Sequence, residues 1–291
     1  LSPFKLDALL GNSDLIQNIC FDQLLLQNSS VSYLNDVNIL LYSKFLSRND
    51  STKYLKNYYT FLQANASGLS SNQTIVHLSI LLKILKLVNY ENHSDLLKIH
   101  YLIVSQKFDQ VSSKEFPIIS KLIIKNFGHL TTKFINSEEE IENVEVIISN
   151  LLSIINSKDT IVRYSNGKNI AKIAAFLPEE FQIEILNSVL SQVGIDAIDD
   201  FMENPEEVDI NQHITVNIDM VSMNQIHGVF VVIAEFLKRG IIRQHLKVVY
   251  LLLREFFYFQ KPQINSVLTG SNIRDAALYV VWNFIKYNGD L

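Results

Sequence analysis

Two arginines, Arg163 and Arg274, are the side chains best suited to act on a charged group. A guanidinium can grip a phosphate or a carboxylate with paired N–H donors. Presented to a partner's nucleotide, it can serve as an arginine finger. Each arginine stands near the start of an apolar-periodic segment, in Asp159-Thr-Ile-Val-Arg163 and in Ser271-Asn-Ile-Arg274-Asp275. A bland alternative is that each pairs with an acidic residue of its own or the neighbouring repeat, such as Asp159 or Asp275, and holds a stack in register. Recurrence of the same residue at the same place favours this second reading. His227, next to Gly228, offers an imidazole at a helix start, where a structural role outweighs a ligand or base. Glu235 precedes Arg239 by four residues, a pairing worth ~0.2–0.5 kcal/mol when exposed. Buried, it would need a full partner and would set register.

Other chemistry has no signature. There is no Gly-x-x-x-x-Gly-Lys-Ser/Thr loop, no Gly-x-Gly-x-x-Gly, no His-Glu-x-x-His and no Gly-x-Ser-x-Gly. Cys20 is the single cysteine, which excludes a cysteine zinc site and an internal disulfide and suits a reducing compartment. His93 and His100 lie seven residues apart without a third ligand in view. No catalytic residue, cofactor or metal is expected; the residues point to binding.

The elements that position these side chains are helices. In DTIVRYSNGKNIAKIAAFLP (159–178), Ile161, Val162, Tyr164, Ile170, Ile173, Ala174 and Leu177 recur at three- and four-residue steps. Asp159 is placed to cap this helix, and Pro178 suits the opening of the next. Apolar residues stand seven and ten positions after each arginine: Ile170 and Ile173, then Val281 and Phe284. That is the second-helix pattern of HEAT-type repeats, in which stacked helix pairs form a solenoid.

Periodicity predicts helices near 14–26, 32–46, 51–63, 73–88, 94–108, 114–135, 138–155, 179–193, 221–239, 243–259 and 272–287. Pro117 is read as opening its helix, and Gly240 as a helix stop behind Lys238 and Arg239. Nine glycines and five prolines in 291 residues are few for an all-β chain. Net charge is −5 without a dense Lys/Arg block, which argues against nucleic acid. Apolar runs such as 78–88 are interrupted by Lys83 and Lys86 and are too short for a membrane span. The chain reads as one array over 1–291 and, starting without Met, as a fragment.

One interval breaks the rhythm. The arginines are 111 residues apart, whereas two HEAT units occupy about 80–94 residues. The surplus matches an acidic insertion at about 195–216, with Glu206, Glu207 and Asp209 among its carboxylates. It reads either as an arm for a partner's basic surface or as a solvated loop. Phe256, Phe257, Tyr258 and Phe259 cover a full helical turn, so one or two of those rings must face outward or bind something. Trp282, by its spacing, is expected in the repeat core.

Three blocks carry a family resemblance: residues 159–178; Ile226–Ile242, with His227, Gly228, Ala234, Glu235, Arg239 and Gly240; and Gly270–Phe284, with Asn272, Arg274, Asp275, Ala276, Ala277, Tyr279, Val280 and Trp282. In this order they resemble the tubulin-folding cofactor D family of HEAT-repeat chaperones. Tyr164 and Ile226 stand where that family usually has Trp, and Val229 where it often has Gly, which suits a divergent fungal member. The resemblance implies an all-α solenoid from the N-terminal half of the array. It also implies a cytoplasmic, cytoskeleton-associated protein that is not itself an enzyme. Its partners would be β-tubulin, cofactors E and C and an Arf-like small GTPase, and it would contribute to GTPase activation of tubulin. A generic scaffold or transport adaptor on the same repeats is the alternative.

Overall fold

A computed structural model describes residues 32–48, 52–88, 90, 94–111, 116–135, 141–193, 206–211, 221–257, 261–262 and 268–288. The helix expected at 14–26, most of the acidic insertion, and Tyr258 and Phe259 lie outside the described residues. The described helices are α1 (Ser32–Leu46), α2 (Thr52–Asn65), α3 (Ser71–Leu87), α4 (Ser94–Val111), α5 (Pro117–Phe134) and α6 (Ile141–Ser153). They continue as α7 (Thr160–Ala174), α8 (Glu179–Leu190), α9 (Met223–Leu237), α10 (Leu246–Phe256) and α11 (Ser271–Asn288). One antiparallel pairing, β1 (Lys261–Pro262) with β2 (Leu268–Thr269), joins α10 to α11. The chain forms two compact units, Leu1–Leu130 and Thr131–Leu291.

Helix ends follow local chemistry. Pro117 opens α5, where its missing N–H costs nothing. Asp159 Oδ1 accepts from the Ile161 and Val162 backbone N–H groups at 2.9 and 3.1 Å. Gly240 takes φ 68°, the left-handed conformation that ends a helix at no steric cost to glycine. At α3 the cap is a reciprocal pair: Gln73 N–H donates to Ser70 Oγ, and Ser70 N–H donates to Gln73 Oε1 at 2.9 Å. This box starts α3 at Ser71, two residues ahead of the periodic pattern.

In the first unit α1 packs on α3 and α2 on α4, the every-other-helix contact of stacked pairs. Tyr42, Phe45, Leu46, Tyr58, Tyr59 and Leu62 fill its core, with Tyr42 edge-on to Tyr58 at 5.6 Å. In the second unit α9 lies between α7 and α11. Every residue from Ile226 to Leu237 is buried, as expected of a helix covered on all sides. Burying each of its Val, Ile, Leu and Phe side chains contributes about 1.5–3 kcal/mol relative to exposure.

Two glycines permit this closeness. A Cβ at Gly167 would fall 2.8 Å from Val231 Cγ1 and 3.3 Å from the Val231 carbonyl carbon. A Cβ at Gly228 would strike the Ile155 carbonyl oxygen and fall 2.8 Å from Ile155 Cγ2. Either methyl would force α9 away from α7 or from the chain that follows α6.

The repeat register holds only partly at α11. Ile273 is buried as Val162 is, but Val281 is half-buried and Phe284 exposed, unlike Ile170 and Ile173. The face of α11 turned to α9 consists of Ile273, Ala276, Ala277 and Val280. Trp282, two residues past Val280 and so roughly 200° around the helix, points outward with 63% of its surface exposed. The expectation of a core Trp282 is corrected accordingly. Small alanines, not the large ring, allow the close α9–α11 contact.

Candidate functional site

Arg163 sits on the first turn of α7, 2% exposed, with its guanidinium turned inward. Nη1 donates to the Ser157 carbonyl at 2.6 Å, the Lys158 carbonyl at 3.0 Å and Asn224 Oδ1 at 3.2 Å. Nη2 donates to Thr160 Oγ1 at 2.9 Å, and Nε to His227 Nδ1 at 3.1 Å. The expected Asp159 partner instead caps the helix, and the arginine fastens carbonyls of the turn before α7 to the start of α9. A guanidinium so engaged is a tie between elements; reaching a partner's phosphate would mean dismantling it.

His227 completes that tie as an acceptor. Nδ1 receives the arginine N–H, so the neutral ring carries its proton on Nε2. Burial, and then the adjacent Arg163 charge, hold His227 down to about 4, against a smaller opposing pull from Asp275. A charged His227 would set two donors against each other.

Glu235, eight residues along α9, is fully buried. Oε2 pairs with Arg239 Nη1 at 2.8 Å, and Oε1 accepts from the Tyr279 hydroxyl of α11 at 2.7 Å. Burial, followed by the hydrogen bond to Glu235, pushes Tyr279 up to about 12. The pair is therefore the buried form of the two expectations for Glu235, with α11 supplying the third member. Tyr164 joins both clusters, edge-on to His227 and to Tyr279 at 5.7 Å each. Arg163, Tyr164, His227, Glu235, Arg239 and Tyr279 thus form one polar and aromatic seam through α7, α9 and α11.

The remaining candidates lie elsewhere. Arg274 is half-buried and Asp275 exposed on the first turn of α11. Phe256 is buried against Phe230, 5.5 Å away and edge-on, and Phe257 is half-buried. Glu206, Glu207 and Asp209 are exposed. Along the outer face of α11, Leu278, Trp282 and Ile285 make an apolar stripe, each more than half exposed. Lys286 Nζ lies 6.0 Å from the Trp282 ring centre and 5.2 Å from that of Tyr287.

A second polar cluster, in the first unit, had no warning in the sequence. Tyr59 Oη meets Tyr90 Oη at 2.9 Å and His100 Nδ1 at 2.8 Å. His100 Nε2 meets Asn126 Oδ1 at 3.2 Å, and Asn126 Nδ2 donates to the Leu78 and Leu122 carbonyls at 3.1 and 2.8 Å. Because the amide N–H groups are spent on carbonyls, Oδ1 must accept from His100 Nε2–H. The Tyr59 hydroxyl then donates to Nδ1 and accepts from Tyr90. His100 is a core link here, held by burial down to about 3. Beside it, the Tyr58 hydroxyl hydrogen-bonds His77 Nδ1 at 3.0 Å. Among the described residues no group of three or more His, Cys, Asp or Glu side chains is arranged to hold a metal ion, and no helix is long and apolar enough to cross a membrane.

Comparison with known proteins agrees with this architecture. The family model described as tubulin-specific chaperone D-like, ARM repeats, matches residues 104–203 and 206–288. Tubulin-folding cofactor D of Schizosaccharomyces pombe (strain 972 / ATCC 24843) is 29% identical over 150 residues, which are 51% of this chain and 13% of that protein. The matched region is therefore a small part of that relative's length. No solved structure matches. The chain is all-α and the family model covers more than half of it: the chain belongs to the tubulin-specific chaperone D-like family of armadillo repeats.

Proposed function

We propose that this chain is part of a tubulin-folding chaperone that binds β-tubulin. It would help to assemble or disassemble the α/β-tubulin heterodimer together with cofactors E and C and an Arf-like small GTPase. Support comes first from the family match over residues 104–203 and 206–288 and the identity to a tubulin-folding cofactor D. The mechanism is grip. Helices held in fixed register by the Arg163–His227 and Glu235–Tyr279 contacts present rigid outer faces, and rigidity lowers the ordering cost of binding. GTPase activation of tubulin then arises from holding the client in one conformation. Arg163 contributes as a tie within the array, and a cytoplasmic, cytoskeleton-associated setting follows from the client.

The test is size-exclusion co-elution of the chain with β-tubulin freshly released from chaperonin. Co-elution supports the reading. Absence of tubulin from the complex peak, with the chain folded, favours a scaffold for other proteins. A Trp282→Ser variant reads whether the outer face of α11 carries part of the contact. Loss of co-elution at unchanged melting temperature places it there.

A further inference from the structure

We propose that residues 206–211 occupy, on this chain's own α10, a binding face for acidic peptides, and that an acidic segment of a partner binds there by displacing them. Lys247, Tyr250 and Arg254 stand at positions i, i+3 and i+7 of α10 and form one partly exposed stripe. Across it lies the segment Glu206-Glu207-Val208-Asp209-Ile210-Asn211. Lys247 Nζ donates to the Glu206 carbonyl and lies 3.9 Å from its carboxylate Oε2. Seven residues on, Arg254 Nη1 donates to the Ile210 carbonyl at 2.7 Å. The two anchors are roughly 10 Å apart along the helix axis. They take the segment in the same direction as α10.

The contacts define what the face recognises. Both cations hold main-chain carbonyls, which any peptide offers. One apolar side chain, Val208, is buried between the anchors. The carboxylates of Glu206, Glu207 and Asp209 remain exposed, and Asp209 Oδ1 accepts the Asn211 N–H at 2.9 Å, which shapes the turn. Arg254 also contacts Glu255 Oε1 at 3.2 Å, so the stripe is not uniformly positive. A fitting peptide therefore carries one β-branched or similar apolar residue between the anchors and, two residues before it, a carboxylate within reach of Lys247 as that of Glu206 is. Exposed charge contacts of this kind contribute little in water, so the tethered segment is held loosely enough to leave. Tethering nonetheless makes it compete as though present at roughly millimolar concentration. This assignment stands whether or not β-tubulin is the client.

A fluorescein-labelled peptide of sequence Glu-Glu-Val-Asp-Ile-Asn, titrated by anisotropy against the whole chain, tests it. Replacing residues 206–211 by alternating Gly and Ser is expected to tighten peptide binding by about tenfold or more, because the internal competitor is gone. In that background Arg254→Glu is expected to weaken binding by about tenfold, and Lys247→Gln, which is milder for folding, by a smaller factor. A peptide with Lys in place of each acidic residue should not bind. The proposal is overturned if the Gly/Ser chain binds no more tightly than the parent, or if Lys247→Gln and Arg254→Glu both leave its affinity unchanged.

Discussion

Each unit carries a buried polar cluster between stacked helices, and the two are built from different chemistry. The first unit uses neutral groups, Tyr90, Tyr59, His100 and Asn126, closed on the Leu78 carbonyl. The second uses charges, Arg163 on His227 and Arg239 on Glu235, with Tyr164 and Tyr279 between them. A neutral chain of hydroxyls and imidazole is cheap to bury once every partner is present. Buried charges need compensation and bring little net stability. Losing one partner is costly because the other is stranded. Both clusters therefore specify which helix faces meet, but they should fail under different insults.

The largest contrast is expected from Glu235→Ala, which removes the carboxylate that Tyr279 and Arg239 share and leaves Arg239 Nη1 only the main-chain carbonyl of residue 235, 3.2 Å away. Breaking such a buried pair typically costs about 3–5 kcal/mol. Amide exchange in α9 and α11 should accelerate while α2 and α4 keep their protection; uniform loss across both units would contradict separate clusters. The double change Glu235→Met with Arg239→Met should recover most of the loss in urea unfolding.

Mild acid should reverse the order of sensitivity. His100 is held down to about 3, and His77 and His227 to about 4, by burial first, with Lys107 adding to the effect at His77 and Arg163 at His227. Unfolded imidazoles titrate near 6.5, so between that value and about 4 the unfolded chain binds more protons. The stability these three provide is full above pH 6.5 and is lost as pH falls toward 4, continuing toward 3 for His100. Two of the three lie in the first unit. Exchange in α2–α4 should therefore rise at a higher pH than exchange in α9, and the reverse order would refute the assignment.

Tyr59→Phe is a smaller lesion. It removes the hydroxyl that links Tyr90 to His100 and should lower stability by about 1–3 kcal/mol. His100→Phe in the same background should add less than it does alone, because the two share one bond. Asp159→Ala is smallest: loss of the α7 cap should cost about 1 kcal/mol in thermal unfolding. A cost several times larger would mean that Asp159 also supports Arg163 electrostatically.

Much of this was legible in the chain. Helices fell where apolar residues recur, and Pro117 and Gly240 marked boundaries because their backbones allow little else. Asp159, Arg163, His227, Gly228, Glu235 and Arg239 were legible as positions, but their partners were not. Sequence suggests that an arginine meets a carboxylate, yet Arg163 found the carbonyls of Ser157 and Lys158, which every residue carries. Trp282 was misplaced because periodicity identifies a stripe without saying which of two candidate stripes is covered; Ala276 and Ala277 decided that. The first cluster was invisible because Tyr59 meets residues 31 and 41 positions away, and no local period encodes such meetings.

The Tyr90-to-Leu78 connection has a further effect. Asn126 can offer only its oxygen to His100, so every proton along the line is assigned, from the phenol of Tyr90 through to the carbonyl at Leu78. The individual bond dipoles add head to tail. An interior made of uncharged groups is thereby polarised in one sense, and turning the Asn126 amide over would require every proton upstream to move with it.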